Sequence, residues 1–302
     1  MTAVASPLPV AAAAATAPGR RRVVLALARH ELRRTLRLRW LLPALALTGL
    51  VFEEWRGPQQ WNGERYGYWF TIPAVLGVAA SLLAAASFHR ERTAVAEASP
   101  AGEAERCLAR LLAAAPLVAV TAAVVAAQAA YIWSIGGLDL GDEPGRTLRA
   151  YPTLPELAQP VAVTVLGIAV GAAVGRRVRH RATAMLALVA GWLPVTFTYW
   201  AFQAPVVAPF SVLQSQPVDV PLGNGDPVDH PAQWLLSAPN DYQVGWDRLV
   251  VSESLAWWHD LWLVGLAVVV LAAAVPRGRR QLVVVGGTLA VGAAVAQFLV
   301  YP

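Results

Sequence analysis

The chain is predicted to be all-α: a polytopic integral membrane helical bundle of six to seven transmembrane helices preceded by an amphipathic interfacial helix. Three observations predict this. Hydrophobic residues make up 57% of the chain and charged residues 14%, far from the balance of a soluble domain. The apolar residues gather in runs close to the roughly 20 residues that a helix needs to cross a bilayer core of about 30 Å. The basic residues are all arginine, because the 302 residues include no lysine. They cluster between alternate runs, which is the pattern that orients membrane proteins.

Residues 1–19 read as a disordered tail and residues 20–302 as one transmembrane domain. The basic cluster follows the apolar run of the tail, the reverse of a secretory signal. Between Arg20 and Arg39, Val24, Leu25, Ala28, Leu32 and Leu36 recur at helical spacing, with Arg29, Arg33, Arg34 and Arg37 mostly opposite. That predicts a basic helix lying in the headgroup plane, or a plain cytoplasmic extension of the first span. The spans are read at 40–55, 68–88, 108–133, 159–174, 182–202 and 258–275, with 281–301 as a seventh span left open. The first is short and borrows a turn from snorkelling arginines.

With a cytoplasmic N-terminus, the arginines of residues 20–39 lie inside. So do Arg90, Arg92, Arg106, Arg110, Arg176, Arg177, Arg179, Arg181, Arg277, Arg279 and Arg280. Only Arg56, Arg65, Arg146, Arg149 and Arg248 fall outside. Cytoplasmic loops carry such an excess, so the expected location is a cell membrane, multi-pass, with the N-terminus cytoplasmic. Trp55, Trp61, Trp69, Trp133, Trp200, Trp257 and Trp258 map near the outer interface, where amphipathic rings favour the headgroup level. Trp192 falls mid-span and fits neither belt. The outer loop, about 204–256, is rich in Pro and Asp and is long enough to be functional. The basic pI would suit nucleic acid, but the arginines sit at helix ends, so no nucleic-acid partner is expected.

Little in the chain can do bond chemistry, and no catalytic, cofactor-binding or metal residue is assigned. A phosphate-binding loop of the G-x-x-x-x-G-K-[ST] kind needs its lysine, so an ATPase site of that type is excluded. No cofactor is expected in the chain. The spans hold mild polar groups such as Thr121, Gln128 and Thr164, where an ion-driven carrier needs ionisable ones. Cys107, the only cysteine, reads as a small apolar filler. Asp226, Asp229 and His230 read as a solvated turn. The pair His259–Asp260, at the predicted mouth of the sixth span, either contacts substrate or caps and hydrates the helix end. Gly167, Gly171 and Gly175 line one helix face and allow close backbone approach. They form a packing or dimer seam, or reflect an Ala- and Gly-rich composition. The inner segment HRERTAVAEASPAGEAERCLARLLAAA, from His89, leaves one span, breaks at Ser99–Gly102 and restarts as a helix. It is a docking element for a cytoplasmic partner or an ordinary inter-span loop.

Taken together, RHELRRTLRLRW before the first span, RERTAVAEASPAGEAERCLARLLA after the second, and WWHDLWLVGLAVVVLAAAVPRGRR through the sixth resemble the type-2 ABC exporter permease family, actinobacterial type. The first is similar to that family's interfacial connecting helix and the second to its Pro-broken coupling segment. The resemblance implies a permease subunit that couples ATP hydrolysis by a separate cytoplasmic ABC ATPase to substrate efflux, and that works as a homodimer or paired permease. ATP and magnesium would sit on the partner. Glu91, Arg92, Glu97, Pro100 and Arg106 match the ATPase-docking region. The chain departs from the family in offering a seventh span and in a coupling segment with few bulky aliphatics. The rival expectation is a non-transport membrane sensor or scaffold that uses its outer loop.

Overall fold

The computed structural model describes residues 19–36, 41–54, 64–92, 101–139, 149–201, 210–213, 218–219, 235–237, 247–250 and 252–300. Helix α1 (Arg20–Leu36) precedes α2 (Leu41–Glu54) and α3 (Glu64–His89), which ends in a 3-10 turn, Arg90–Arg92. Then come α4 (Glu103–Ser134), α5 (Leu154–Arg177), α6 (Arg181–Ala201), α7 (Glu253–Leu271) and α8 (Arg279–Val300). Short strands dress the connections. β1 (Leu138–Asp139) pairs antiparallel with β2 (Arg149–Ala150), and β3 (Val218–Asp219), β4 (Leu235–Ser237) and β5 (Asp247–Val250) form a sheet of order β3-β5-β4. These strands, which hydrophobic periodicity does not predict, modify an otherwise helical architecture.

Four helices, α4, α5, α7 and α8, are long and apolar enough to cross a membrane. Each is at least 19 residues, or about 28 Å at 1.5 Å per residue. The outward faces agree: Val284, Val285, Val291 and Leu299 on α8, and Leu186 and Leu193 on α6, are exposed. Exposed apolar faces on helices of this make-up suit lipid better than water. The chain therefore has the make-up of a multi-pass membrane protein.

The helix starts lie where local capping puts them. At α5, Glu156 accepts from the Thr153 N–H and hydroxyl, both at 2.6 Å, and Pro155 occupies the first turn. This is a capping box, and it starts the helix five residues before the predicted span. At α7, the Ser252 hydroxyl oxygen accepts from Leu255 N–H at 3.4 Å, so the helix begins before Trp258. At α4, Glu105 accepts from Gly102 N–H at 3.2 Å, and Glu103 and Glu105 stand where an N-terminus favours acids. The first turn thus belongs to residues 103–105, and Pro100 lies outside the described residues. Gly136 and Gly137 follow the end of α4 at φ +80° and +95°, which only glycine adopts without strain.

Packing rests on backbone contact. α3 and α5 share the most extensive interface among the described helices. A Cβ at Gly167, Gly171 or Gly175 of α5 would strike the backbone of Gly77, Ser81 or Ala85 of α3 in turn. Small residues spaced by four on both helices let the axes close in parallel. The three glycines therefore face another helix of the same chain. A second seam of this type joins α7 to α8, where a Cβ at Gly265 would come within 2.6 Å of Ala290 N, and one at Gly286 within 2.8 Å of Gly265 O. Trp192 is buried in the core, and its indole N–H donates to the Ser81 hydroxyl at 3.2 Å. That satisfies the one polar atom of a ring that suits neither interface.

Between α4 and α5 the hydroxyls of Thr121 and Thr164 meet at 3.0 Å. Each hydroxyl also lies within reach of the carbonyl four residues back in its own helix, Leu117 O at 3.1 Å and Pro160 O at 2.9 Å, so two protons are shared among three contacts. Interhelical bonds of this kind contribute only about 0.6 kcal/mol on average. Thr164→Val is expected to lower unfolding stability in detergent by about that amount, measured by denaturant titration.

Candidate functional site

The four arginine clusters of the described helices converge on one end of the bundle. α1 lies across that end, with Val24, Ala28, Glu31 and Thr35 buried and Val24 and Ala28 packed on Ala109 of α4. The predicted apolar face is rotated: Leu25 is exposed, and the seam contains an acid. Glu31 accepts from the Ser87 hydroxyl at 3.2 Å and pairs with Arg90 at the end of α3. At the other end of α1, Arg20 pairs with Glu105 at 3.0 Å. The helix is thereby fastened to both arms of the α3–α4 connection.

Inside the connection, Glu91 joins two arginines one turn apart on α4. Arg106 donates to it at 2.7 Å and Arg110 pairs with its other oxygen. The Glu91 and Arg110 side chains are only 9% and 7% exposed, so this is an interior ion triad. Arg106 also donates to Ala101 O. From there the network crosses the bundle. Arg176 of α5 pairs with Glu103 and donates to Ala274 O at 2.7 Å, just beyond α7. A cation at a helix C-terminus satisfies its last carbonyls. The Cys107 thiol, buried beside Ala172 and Phe88, donates to the same Ala274 O at 3.7 Å. An open cleft of about 310 Å³ lies between Arg20, the α4 start (Gly102–Glu105) and Pro276–Arg277.

Of the residues matched to ATPase docking, Glu91 and Arg106 hold each other in the interior. Arg92 closes the 3-10 turn, while Glu97 and Pro100 lie outside the described residues. Exposed charge at this end includes Arg20, Glu103, Arg179 and Arg277. Because Arg20 is 72% exposed, its pair with Glu105 contributes little. Arg20→Ala is expected to change stability by less than about 1 kcal/mol in a thermal melt.

A second polar site, not anticipated in position, lies toward the opposite end. His259 and Asp260 are in the second turn of α7 and both are buried. They neither cap the helix nor sit at its mouth. His259 Nδ1 and Gln297 Oε1 of α8 are 3.1 Å apart. The antiparallel Thr121–Thr164 register carries Gln128 of α4, fully buried, to the level of Glu156 and Gln159 of α5. The capping box T-x-x-E at Thr153 and the serine at 252 are the sequence signals that place these groups inside the helices. Among the described residues no group of three His, Cys, Asp or Glu side chains suits a metal. Comparison with protein-family models, curated proteins and solved structures finds no match to this chain.

Proposed function

We propose that the chain is the transmembrane permease subunit of an ATP-driven ABC exporter, with seven spans in a bacterial cell membrane and a cytoplasmic N-terminus. In this reading α2, α3 and α6 cross together with α4, α5, α7 and α8. The chain does no bond chemistry, and a separate cytoplasmic ABC ATPase, holding ATP and magnesium, supplies the energy. Two permease subunits pair to make the path.

One observation carries the proposal: at the arginine-rich end α1 packs on Ala109 of α4 and is tied through Glu31 to Arg90, so it touches both arms of the α3–α4 connection. A lever for a cytoplasmic partner needs this arrangement, since a partner pushing on the connection moves α1 with it. The Glu91–Arg106–Arg110 triad passes that motion into α4, and Arg176 passes it to α5 and to the α7–α8 turn. ATP-driven closure of the partner then repacks the spans and opens a path outward. The absence of lysine supports an external ATPase.

Purification at native level in mild detergent is expected to recover an ATPase subunit in stoichiometric amount. Glu31→Ala, which frees one arm, is expected to keep the ATPase bound while losing substrate-stimulated hydrolysis. Repeated recovery of the chain with no ATPase would end the proposal. The alternative, a sensor or scaffold that reads ligand with residues 204–256, draws on the β3-β5-β4 sheet within that loop. It would be favoured by a loop deletion that abolishes ligand binding without any transport phenotype.

A further inference from the structure

We propose that the outer part of the α5–α7 seam binds the ammonium group of an amphiphilic amine, with Asp260 as its anionic partner. The inference rests on the permease reading and names a substrate class for it.

The seam holds an apolar plug: Val163 of α5, Leu263 of α7 and Leu213 belong to one buried cluster. The two helices run parallel, since Arg176 near the end of α5 meets Ala274 just past the end of α7. One turn outward from the plug, on the same two helix faces, stand Gln159, four residues before Val163, and Asp260, three before Leu263. Ser211 lies two residues from Leu213. Next to it Phe210 packs on the rings of Trp262 and Phe298, with centroids 5.9 Å and 5.2 Å away.

All three polar side chains are more than nine-tenths buried, and Asp260 is only 6% exposed. Neither Asp260 oxygen, nor Gln159 Nε2, nor the Ser211 hydroxyl has a hydrogen-bond partner among the described residues. Asp260 makes no ion pair there either. Its neighbour His259 is turned to Gln297, and Glu156 is held by Thr153. Native interiors leave few such groups unsatisfied, and an uncompensated carboxylate is the costliest of them.

The missing partner is therefore cationic, and it must also supply an acceptor. An ammonium group donates three hydrogen bonds, enough for both Asp260 oxygens and the Ser211 hydroxyl. Gln159 Nε2 then needs a carbonyl or ether oxygen near the amine. Trp262, Phe210 and Phe298 give an aromatic wall for the apolar body. A proton on Asp260 would neutralise the charge but would leave Gln159 and Ser211 as they are.

The test uses the full chain in lipid nanodiscs and leucine 2-naphthylamide, a fluorescent amphiphilic primary amine whose carbonyl group adjoins the carbon that bears the amine. Saturable binding is expected, weakened about tenfold or more by Asp260→Asn. The N-acetylated probe is expected to bind both proteins equally weakly. If Asn at 260 prevents folding, Gln159→Leu is expected to weaken binding by about threefold or more. Unchanged affinity in a folded variant, or no saturable binding to the unaltered chain, would overturn the inference and leave Asp260 as a protonated core carboxyl. Because no ATPase is involved, this failure is separate from a failure of co-purification.

Discussion

Replacing Gly171 by leucine is expected to abolish the folded bundle. The atoms that a side chain would meet are not flexible side-chain ends but the backbone of Ser81, which cannot step aside without moving α3. Overpacking a side-chain core typically costs about 1–3 kcal/mol. Here the obstacle is a second helix, and the interface forced apart is the most extensive among the described helices. A loss of at least about 3 kcal/mol is a large share of a total stability of about 5–15 kcal/mol. Size-exclusion chromatography in detergent should show aggregate in place of a single peak. Gly191→Leu is the matched control. No atom stands near a Cβ at that position, and its effect should stay within about 0.5 kcal/mol. If Gly171→Leu gave a monodisperse protein with an unchanged melting temperature, the α3–α5 interface described above would be wrong.

Glu91→Ala is expected to produce the second large effect. Glu91 is the acid shared by Arg106 and Arg110, and Arg110 lies in the interior. Removing one partner from a buried ionic group leaves uncompensated charge and costs about 3–5 kcal/mol. The same principle gives a diagnostic second step. A buried ion group replaced by apolar residues of similar volume is often neutral, so Glu91→Ala combined with Arg110→Met should recover part of the loss. Unfolding titrations of the single and double variants check both statements. A single variant as stable as the unaltered chain would show that the triad is not held in the interior.

How far each feature can be read from the residues depends on whether it is local. The apolar runs, the arginine end and the glycine spacing follow from composition and from the helical period, which neighbouring residues decide alone. The partner of the glycines does not, since nothing in Gly167–Gly175 says that Gly77, Ser81 and Ala85 will face them. Glu31 shows the same limit. Its place among arginines suggests the solvated face of a basic helix, yet contact with α4 rotates α1 so that Glu31 enters the seam and meets Arg90. His259 and Asp260 escape the sequence reading for a different reason. Hydropathy puts the start of α7 at the tryptophans, whereas Ser252 caps it earlier. The polar pair that reads as a wet helix mouth is consequently buried. Local capping chemistry is present in the residues and outranks hydropathy at helix ends.

The central claim is that the arginine-rich end of a membrane-threading bundle faces the cytoplasm. Cysteine labelling tests it most directly, because Cys107 is the only native thiol and Cys107→Ala gives a clean background. Two exposed positions at opposite ends, Arg179 and Tyr151, are then changed singly to cysteine. In intact cells a membrane-impermeant maleimide should label the Tyr151→Cys protein and spare the Arg179→Cys protein, which becomes reactive only after permeabilisation. Labelling of the Arg179→Cys protein in intact cells, or equal labelling of both without permeabilisation, would contradict the claim.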